Sequence, residues 1–364
     1  MPKPLRIAFF GSSLVSSYWN GAATYYRGIV RALHERGHRV TFFEPDAFDR
    51  QRNRDIDDPH WAEVVVYGGD GEAHAARALE RARGADLVIK ASGVGVYDAY
   101  LEREVLALQS PTTRVIFWDV DAPATLERML EDPADALRAH VPRYDLVLTY
   151  GGGQRVIDAY EGLGARRCVP VYNALDPHTH YPVEPQRAFA SDLCFLGNRL
   201  PDREARVRRF FFDAAQQAPE FDFILGGSGW DDVPLGDNVV RLGHVSTRDH
   251  NTLNCSARMV LNINRDSMAR FGFSPPTRVF EAAGAGACLV TDQWDGIEMF
   301  LEPDSEVLVA DSAEQVNDYL RRIGPVQSAE IGQRARARML REHTYAQRVL
   351  QLEELLDAHL QVAA

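Results

Sequence analysis

The sequence predicts an α/β protein of two successive, doubly wound domains facing a central cleft. Three observations carry this expectation. Short apolar runs alternate with longer helical patterns along the 364 residues. The runs are apolar without a two-residue alternation, as in parallel strands covered by helices on both faces. The rhythm breaks once, at the Pro-, His- and Asn-rich VPVYNALDPHTHYPVEPQ, and then restarts.

The elements follow in order. RIAFFGSS (6–13) reads as a buried first strand, Ala22 to Arg36 as a helix stopped by Gly37, and RVTFFEPD as the second strand. EVVVYG, ADLVIKAS, RVIFWDV and YDLVLTYG continue the pattern. After the break come SDLCFLGN, a helix near 202–217, FDFILGGSG, VVRLGHV, ARMVLNINR, a helix around Glu281, ACLVTD and EVLVA. Helices near 313–323 and 329–341 and a long one from Thr344 close the chain. The domains expected are 1–172, a linker at 173–190, a second domain at 191–343, and a C-terminal helix at 344–364 that returns to the first domain. Ligands in such sheets bind beyond the carboxyl ends of the strands.

Charge and cysteine usage narrow the function. A net charge of −12 argues against a nucleic-acid backbone as partner, because that needs a basic surface. Cys168, Cys194, Cys255 and Cys288 stand apart in apolar runs, as reduced core thiols of a cytoplasmic protein do. No apolar window is long enough for a transmembrane segment. GxSxG, Walker GxxxxGK[ST] and HExxH are missing, and GSSLVSS after the first strand is not GxGxxG.

The stretch SPPTRVFEAAGAGACLVTD (274–292) holds the residues most suited to a ligand. Ser274 is expected as N-cap and Pro275 as first helical residue, with Thr277 and Arg278 in the first turn. The Arg278 fork suits a diphosphate, and Glu281 one turn on suits two adjacent hydroxyls such as those of a ribose. The alternative is a solvated Arg278–Glu281 pair at i,i+3. In LGNRLPDR, Gly197, Asn198, Arg199 and Arg203 form a loop before a helix, fit for a diphosphate or merely a turn. Asn262 and Asn264 alternate at the end of MVLNINR and share one face.

In the first half, Asn20 and Gly21 of NGAA are expected on the acceptor side. Tyr18, Trp19, Tyr25 and Tyr26 surround them as sugar-facing rings or as core. Asp121 in FWDVDAP is a candidate general base or the cap of the following helix. The Asp-x-Asp there is too short a pattern to imply a metal, and none is expected.

RVFEAAGAGACLVTD, GIEMFLEPDSEVLVAD, REHTYAQRV and the N-terminal GAATYYRGIVRALHERGHRVTFFEPD resemble GT-B glycosyltransferases. Within them the similarity is to the CgeB-like (spore maturation protein) group. The resemblance implies two Rossmann-like domains, the second for a nucleotide sugar and the first for an unknown acceptor. It implies that Glu281 holds the donor's ribose and that the helix start with Arg278 holds its diphosphate. His244 and Val245 resemble the family's base-binding turn. No cofactor beyond the donor substrate is implied. The chain departs from the family at Phe273, where many retaining members carry the first Glu of Glu-x7-Glu. A sugar-nucleotide epimerase and a non-catalytic nucleotide-sugar binder or scaffold stay open as alternatives.

Overall fold

The computed structural model describes residues 3–362; the last two positions of the expected C-terminal helix lie outside it. The chain divides into two compact units, one made of Met1–Asn173 with Tyr345–Ala364, the other of Ala174–Thr344.

The first unit holds seven strands: β1 (Arg6–Phe10), β2 (Arg39–Asp46), β3 (Glu63–Gly68), β4 (Leu87–Ala91), β5 (Arg114–Asp119), β6 (Leu146–Thr149) and β7 (Cys168–Pro170). All pair in parallel, in the order β3-β2-β1-β4-β5-β6-β7. The order reverses between β1 and β4, so the loops after these two strands diverge there. β1 and β4 read as continuous apolar runs because helices cover both faces. The exception is Lys90, fully buried in β4 and bonded through Nζ to Asp98 at 2.8 Å. Strand β7 escaped the sequence pattern: three residues ending in proline are too few to show a period.

Tyr25 and Tyr26 belong to this unit's core, not to a ligand surface. Tyr25 donates to the Val171 carbonyl at 2.6 Å and accepts from Trp118 Nε1 at 3.0 Å. Tyr26 packs edge-on to Phe9. The helix Tyr345–Val362 lies against the helix Ala23–Glu35. Glu353 ties them by accepting from Arg36 at 2.7 Å and facing His38 Nε2 at 3.0 Å. A Cβ on Gly28 would sit 2.1 Å from the Tyr345 ring. Gly28→Ala should therefore lower thermal stability, despite alanine's helix preference of up to ~1 kcal/mol, because overpacking a ring costs about 1–3 kcal/mol. A rise in melting temperature would contradict this close packing.

The second unit holds β8 (Ser191–Leu196), β9 (Phe223–Gly226), β10 (Val239–Gly243), β11 (Ala257–Asn262), β12 (Leu289–Asp292) and β13 (Leu308–Ala310). They pair in parallel in the order β10-β9-β8-β11-β12-β13. A core of Phe195, Phe211, Phe223, Trp230 and Leu261 fills one side of the sheet.

The segment read as a linker is part of this second unit. Leu175, Asp176 and His180 are buried, and Leu175 N donates to the His343 carbonyl at 2.7 Å. The small residues after Glu281 explain why. A Cβ on Gly284 would meet Leu175 Cδ1 at 2.2 Å and the His180 carbonyl at 3.1 Å. The Gly-Ala run thus admits residues 174–180. Among the described residues no helix is long and apolar enough to cross a membrane.

Candidate functional site

The helix carrying Glu281 begins later than its sequence suggests. It spans Thr277–Gly284, with Pro276 as N-cap in extended geometry. A residue before proline is pushed out of the helical region, so Ser274 and Pro275, each followed by proline, cannot join the helix. Ser274 is buried and donates Oγ to the Gly272 carbonyl at 3.0 Å instead of capping. Thr277 and Arg278 become the first two helical residues, and Glu281 the fifth.

Glu281 is 7% exposed. Burial pushes its carboxyl up, but Arg278, His180, His250 and the Thr277 hydroxyl together outweigh this and hold it below the usual carboxylate range. Arg278 Nη1 lies 3.4 Å from Glu281 Oε2, and His180 Nε2 lies 4.0 Å from Oε1. Nε and Nη1 of Arg278 are buried without a hydrogen-bond partner among the described residues. The pair is not a solvated surface bridge: the Arg278 side chain is only 14% exposed. A guanidinium with open donors beside an ionised carboxylate can take an anion on one end while the carboxylate accepts from hydroxyls on the other.

His180 and His250 were not singled out by any motif. One lies in the supposed linker, the other begins the helix His250–Ser256. With Glu281 they form a group whose ligand atoms lie within 4.8 Å of one another. That spacing fits a metal ion, but the Arg278 guanidinium already brings positive charge to the same carboxylate. Burial, with the Arg278 field, lowers the His250 pKa to about 4 from its ordinary 6.5. The folded state therefore resists a proton that the unfolded chain accepts. Stability from His250 is present above about pH 6.5 and is lost as pH falls toward about 4. Between about pH 7 and pH 4.5 the parent should lose several degrees of melting temperature more than His250→Gln. Equal losses would contradict a buried neutral His250.

The glycine loops of this unit bond to each other. Gly227 has φ 115°, and a Cβ there would sit 2.2 Å from the Gly197 carbonyl oxygen. Ser228 N donates to Asn198 Oδ1 at 2.9 Å, and Trp230 Nε1 to the Gly197 carbonyl at 2.8 Å. Gly197 and Asn198 thus shape the loop through backbone approach. The two arginines that the sequence placed together part company here. Arg199 is bonded to Glu204 at 2.7 Å and Asp232 at 2.8 Å, which occupies its fork. Arg203 lies over the Phe195 ring at 5.7 Å, donates to the Asn198 carbonyl, and keeps Nε unpartnered. Burial and the fields of Arg278 and Arg265 lower its pKa to about 10. A cationic locality thus exists in a chain of net charge −12.

At the end of β11, Asn262 Nδ2 donates to Asn264 Oδ1 at 3.1 Å, so the two side chains do share a face. Asn264 N is held by Asp292 at 3.1 Å, and its Nδ2 is an orphan donor in a fully buried residue. After β10, His244 is exposed while Val245 is buried. The Val245 backbone bonds to His250, which links that turn to Glu281. Phe273, at the departure from Glu-x7-Glu, has φ 49°, and its N–H donates to the Asp295 carbonyl at 2.6 Å.

In the first unit Asn20 is buried and saturated: Oδ1 accepts from Ser12 Oγ at 2.8 Å, and Nδ2 donates to the Ser13 and Ser16 carbonyls at 2.9 Å. These bonds hold its loop together. Gly21 is exposed, with open space where a Cβ would be. Asp121 is the N-cap residue of the helix Ala122–Glu131, but its side chain does not cap it. Asp119, two residues earlier, is fully buried under Ser92, Thr125 and Tyr160, and so belongs to the framework.

Residues 203–354 match the family model described as glycosyl transferase-like. No curated protein sequence matches the chain. Solved structures similar to it include sucrose-phosphate synthase from Thermosynechococcus elongatus, with TM-score 0.73 at 15% identity over 99% of this chain and 100% of that one. Anabaena HepE in complex with UDP and glucose gives TM-score 0.69 at 16% identity over 97% and 100%. An alpha-glucosyltransferase in complex with UDP and a 13-mer DNA gives 0.67 at 13% identity over 98% and 100%. With its two parallel sheets the chain has the GT-B fold, and the residues that match the glycosyl transferase-like family model, 203–354, include Glu281.

Proposed function

We propose that the protein transfers a hexose from a nucleoside diphosphate sugar to an acceptor hydroxyl, as a CgeB-like member of the GT-B enzymes. The observation that carries this reading is Glu281, a carboxylate held ionised inside a helix, with Arg278 donors open beside it. Glu281 accepts from the donor's ribose hydroxyls. Arg278, with Arg203 and the N–H groups of Thr277 and Arg278, meets the diphosphate. The HepE and alpha-glucosyltransferase structures contain UDP, which makes UDP-glucose the first donor to test.

In the transfer, the bond from the anomeric carbon to the diphosphate breaks with its electron pair on the leaving oxygen. The acceptor oxygen bonds to that carbon. Its proton passes to Asp121 in an inverting course, or to the departing diphosphate in a retaining one. Arg278 and Arg203 balance the growing leaving-group charge, so the reaction proceeds without a metal. The absence of a carboxylate at Phe273 leaves the stereochemical course to the product.

The test is product analysis with UDP-sugars, with and without cell-derived acceptors. Transferred sugar and released UDP support the reading. An epimerised sugar nucleotide formed from donor alone would replace it with the epimerase. Donor affinity with no turnover across acceptors would make the protein a binder.

A further inference from the structure

The carboxyl edge of the first unit's sheet carries a buried cation that no acid pairs with directly. Arg50, in the loop after β2, is 7% exposed. It reaches the point where the strand order reverses: its Nη1 donates at 3.3 Å to the Ser12 carbonyl after β1 and at 3.3 Å to the Val94 carbonyl after β4. Its Nε is buried without a partner, and its Nη2 makes no hydrogen bond among the described residues. The guanidinium lies 5.0 Å over the Phe48 ring.

The acids whose field reaches Arg50 are committed elsewhere. Glu44 accepts from Ser13 Oγ at 3.0 Å, from Leu14 N at 2.5 Å and from Gln51 Nε2 at 2.5 Å. Asp98 accepts from Lys90 at 2.8 Å and from the backbone of Val94 and Gly95 at 3.1 and 2.7 Å. Burying a cation without a bonded anion is costly, and an anionic ligand reverses that cost.

The same loops hold their aromatic residues under strain. Trp19, Phe48 and Tyr97 follow β1, β2 and β4 with φ of 46°, 57° and 58°. Bulky residues are strained in the left-handed region and persist there where function keeps them. Trp19 is 64% and Phe48 55% exposed, so two of these rings offer a face to a ligand.

We propose that Arg50 and the Phe48 ring form an anion-binding subsite, taking a ligand whose carboxylate or phosphate adjoins a flat apolar face. That the ligand is the acceptor rests on the transferase reading; the subsite itself rests on the first unit alone. The Phe48 ring supplies the face and the unpaired fork supplies the anion contact.

The test uses phenyl phosphate, benzoate and neutral benzyl alcohol, titrated by calorimetry into the parent, Arg50→Met and Arg50→Lys, each first saturated with UDP to fill the phosphate site proposed at Arg278. Both anions should bind the parent at least about tenfold more tightly than benzyl alcohol, and the tighter of the two names the anion. Arg50→Met should lose that preference, and Arg50→Lys should keep part of it. Three results would overturn the proposal. They are no anion preference in the parent, a preference that Arg50→Met keeps in full, and unfolding of Arg50→Met, which would make Arg50 loop framework. UDP binding is read separately in the saturation step, so the subsite can fail while donor binding and transfer stand.

Discussion

Glu281→Ala should weaken binding of a nucleoside diphosphate sugar by at least about tenfold in calorimetry while the protein stays folded. The carboxylate is buried yet held ionised, above all by Arg278, so it enters a complex as a prepared acceptor. A hydrogen bond to a charged group contributes about 1.5–3 kcal/mol, and about 1.4 kcal/mol is a factor of ten. One lost ribose contact therefore meets the threshold. Folding survives because the aromatic core around Phe211 and Trp230 lies elsewhere in the unit. Glu281→Gln keeps the volume and removes only the charge, which separates lost affinity from a collapsed helix. Unchanged affinity in both variants would take Glu281 out of the site.

The second large effect belongs to Arg278→Ala, which should lower turnover more than donor affinity. Charge on the leaving diphosphate grows toward the transition state, so an interaction with it is stronger there than in the bound donor. Arg278 has its Nε and Nη1 open and its charge already placed by Glu281, so little rearrangement precedes that interaction. Steady-state kinetics should show kcat falling by about a hundredfold or more, within the range for one lost transition-state donor. Arg278→Lys should recover part of the loss, because a lysine restores the charge but not the fork. Equal kcat in Arg278→Ala and the parent would refute the role.

Strand apolarity and helical period made both sheets legible, because buried parallel strands leave a continuous signature whatever they bind. Glu281 was legible for a local reason: a charged residue stood in an apolar helix ending in small residues. The purpose of those small residues was not legible. Gly284 accommodates Leu175 and the His180 carbonyl, a packing fact between positions far apart in the chain. The same separation hid His180 and His250, whose meeting at Glu281 depends on the fold rather than on spacing.

The arginines show the limit from the other side. Arg199 and Arg203 look alike in LGNRLPDR, but Glu204 and Asp232 claim the first while Phe195 covers the second. Asn20 is a similar case: a polar residue beside a glycine suggests a ligand, whereas three buried hydrogen bonds spend it on its own loop. Arg50 went unnoticed because a cation becomes informative only once its acidic neighbours are seen to be engaged elsewhere.

The most direct measurement is a crystal structure of the protein soaked with UDP. The account predicts ribose hydroxyls within hydrogen-bond distance of Glu281 and phosphate oxygens on Arg278. Density for the nucleotide at any other place, or a Glu281 that touches no part of it, would contradict the account.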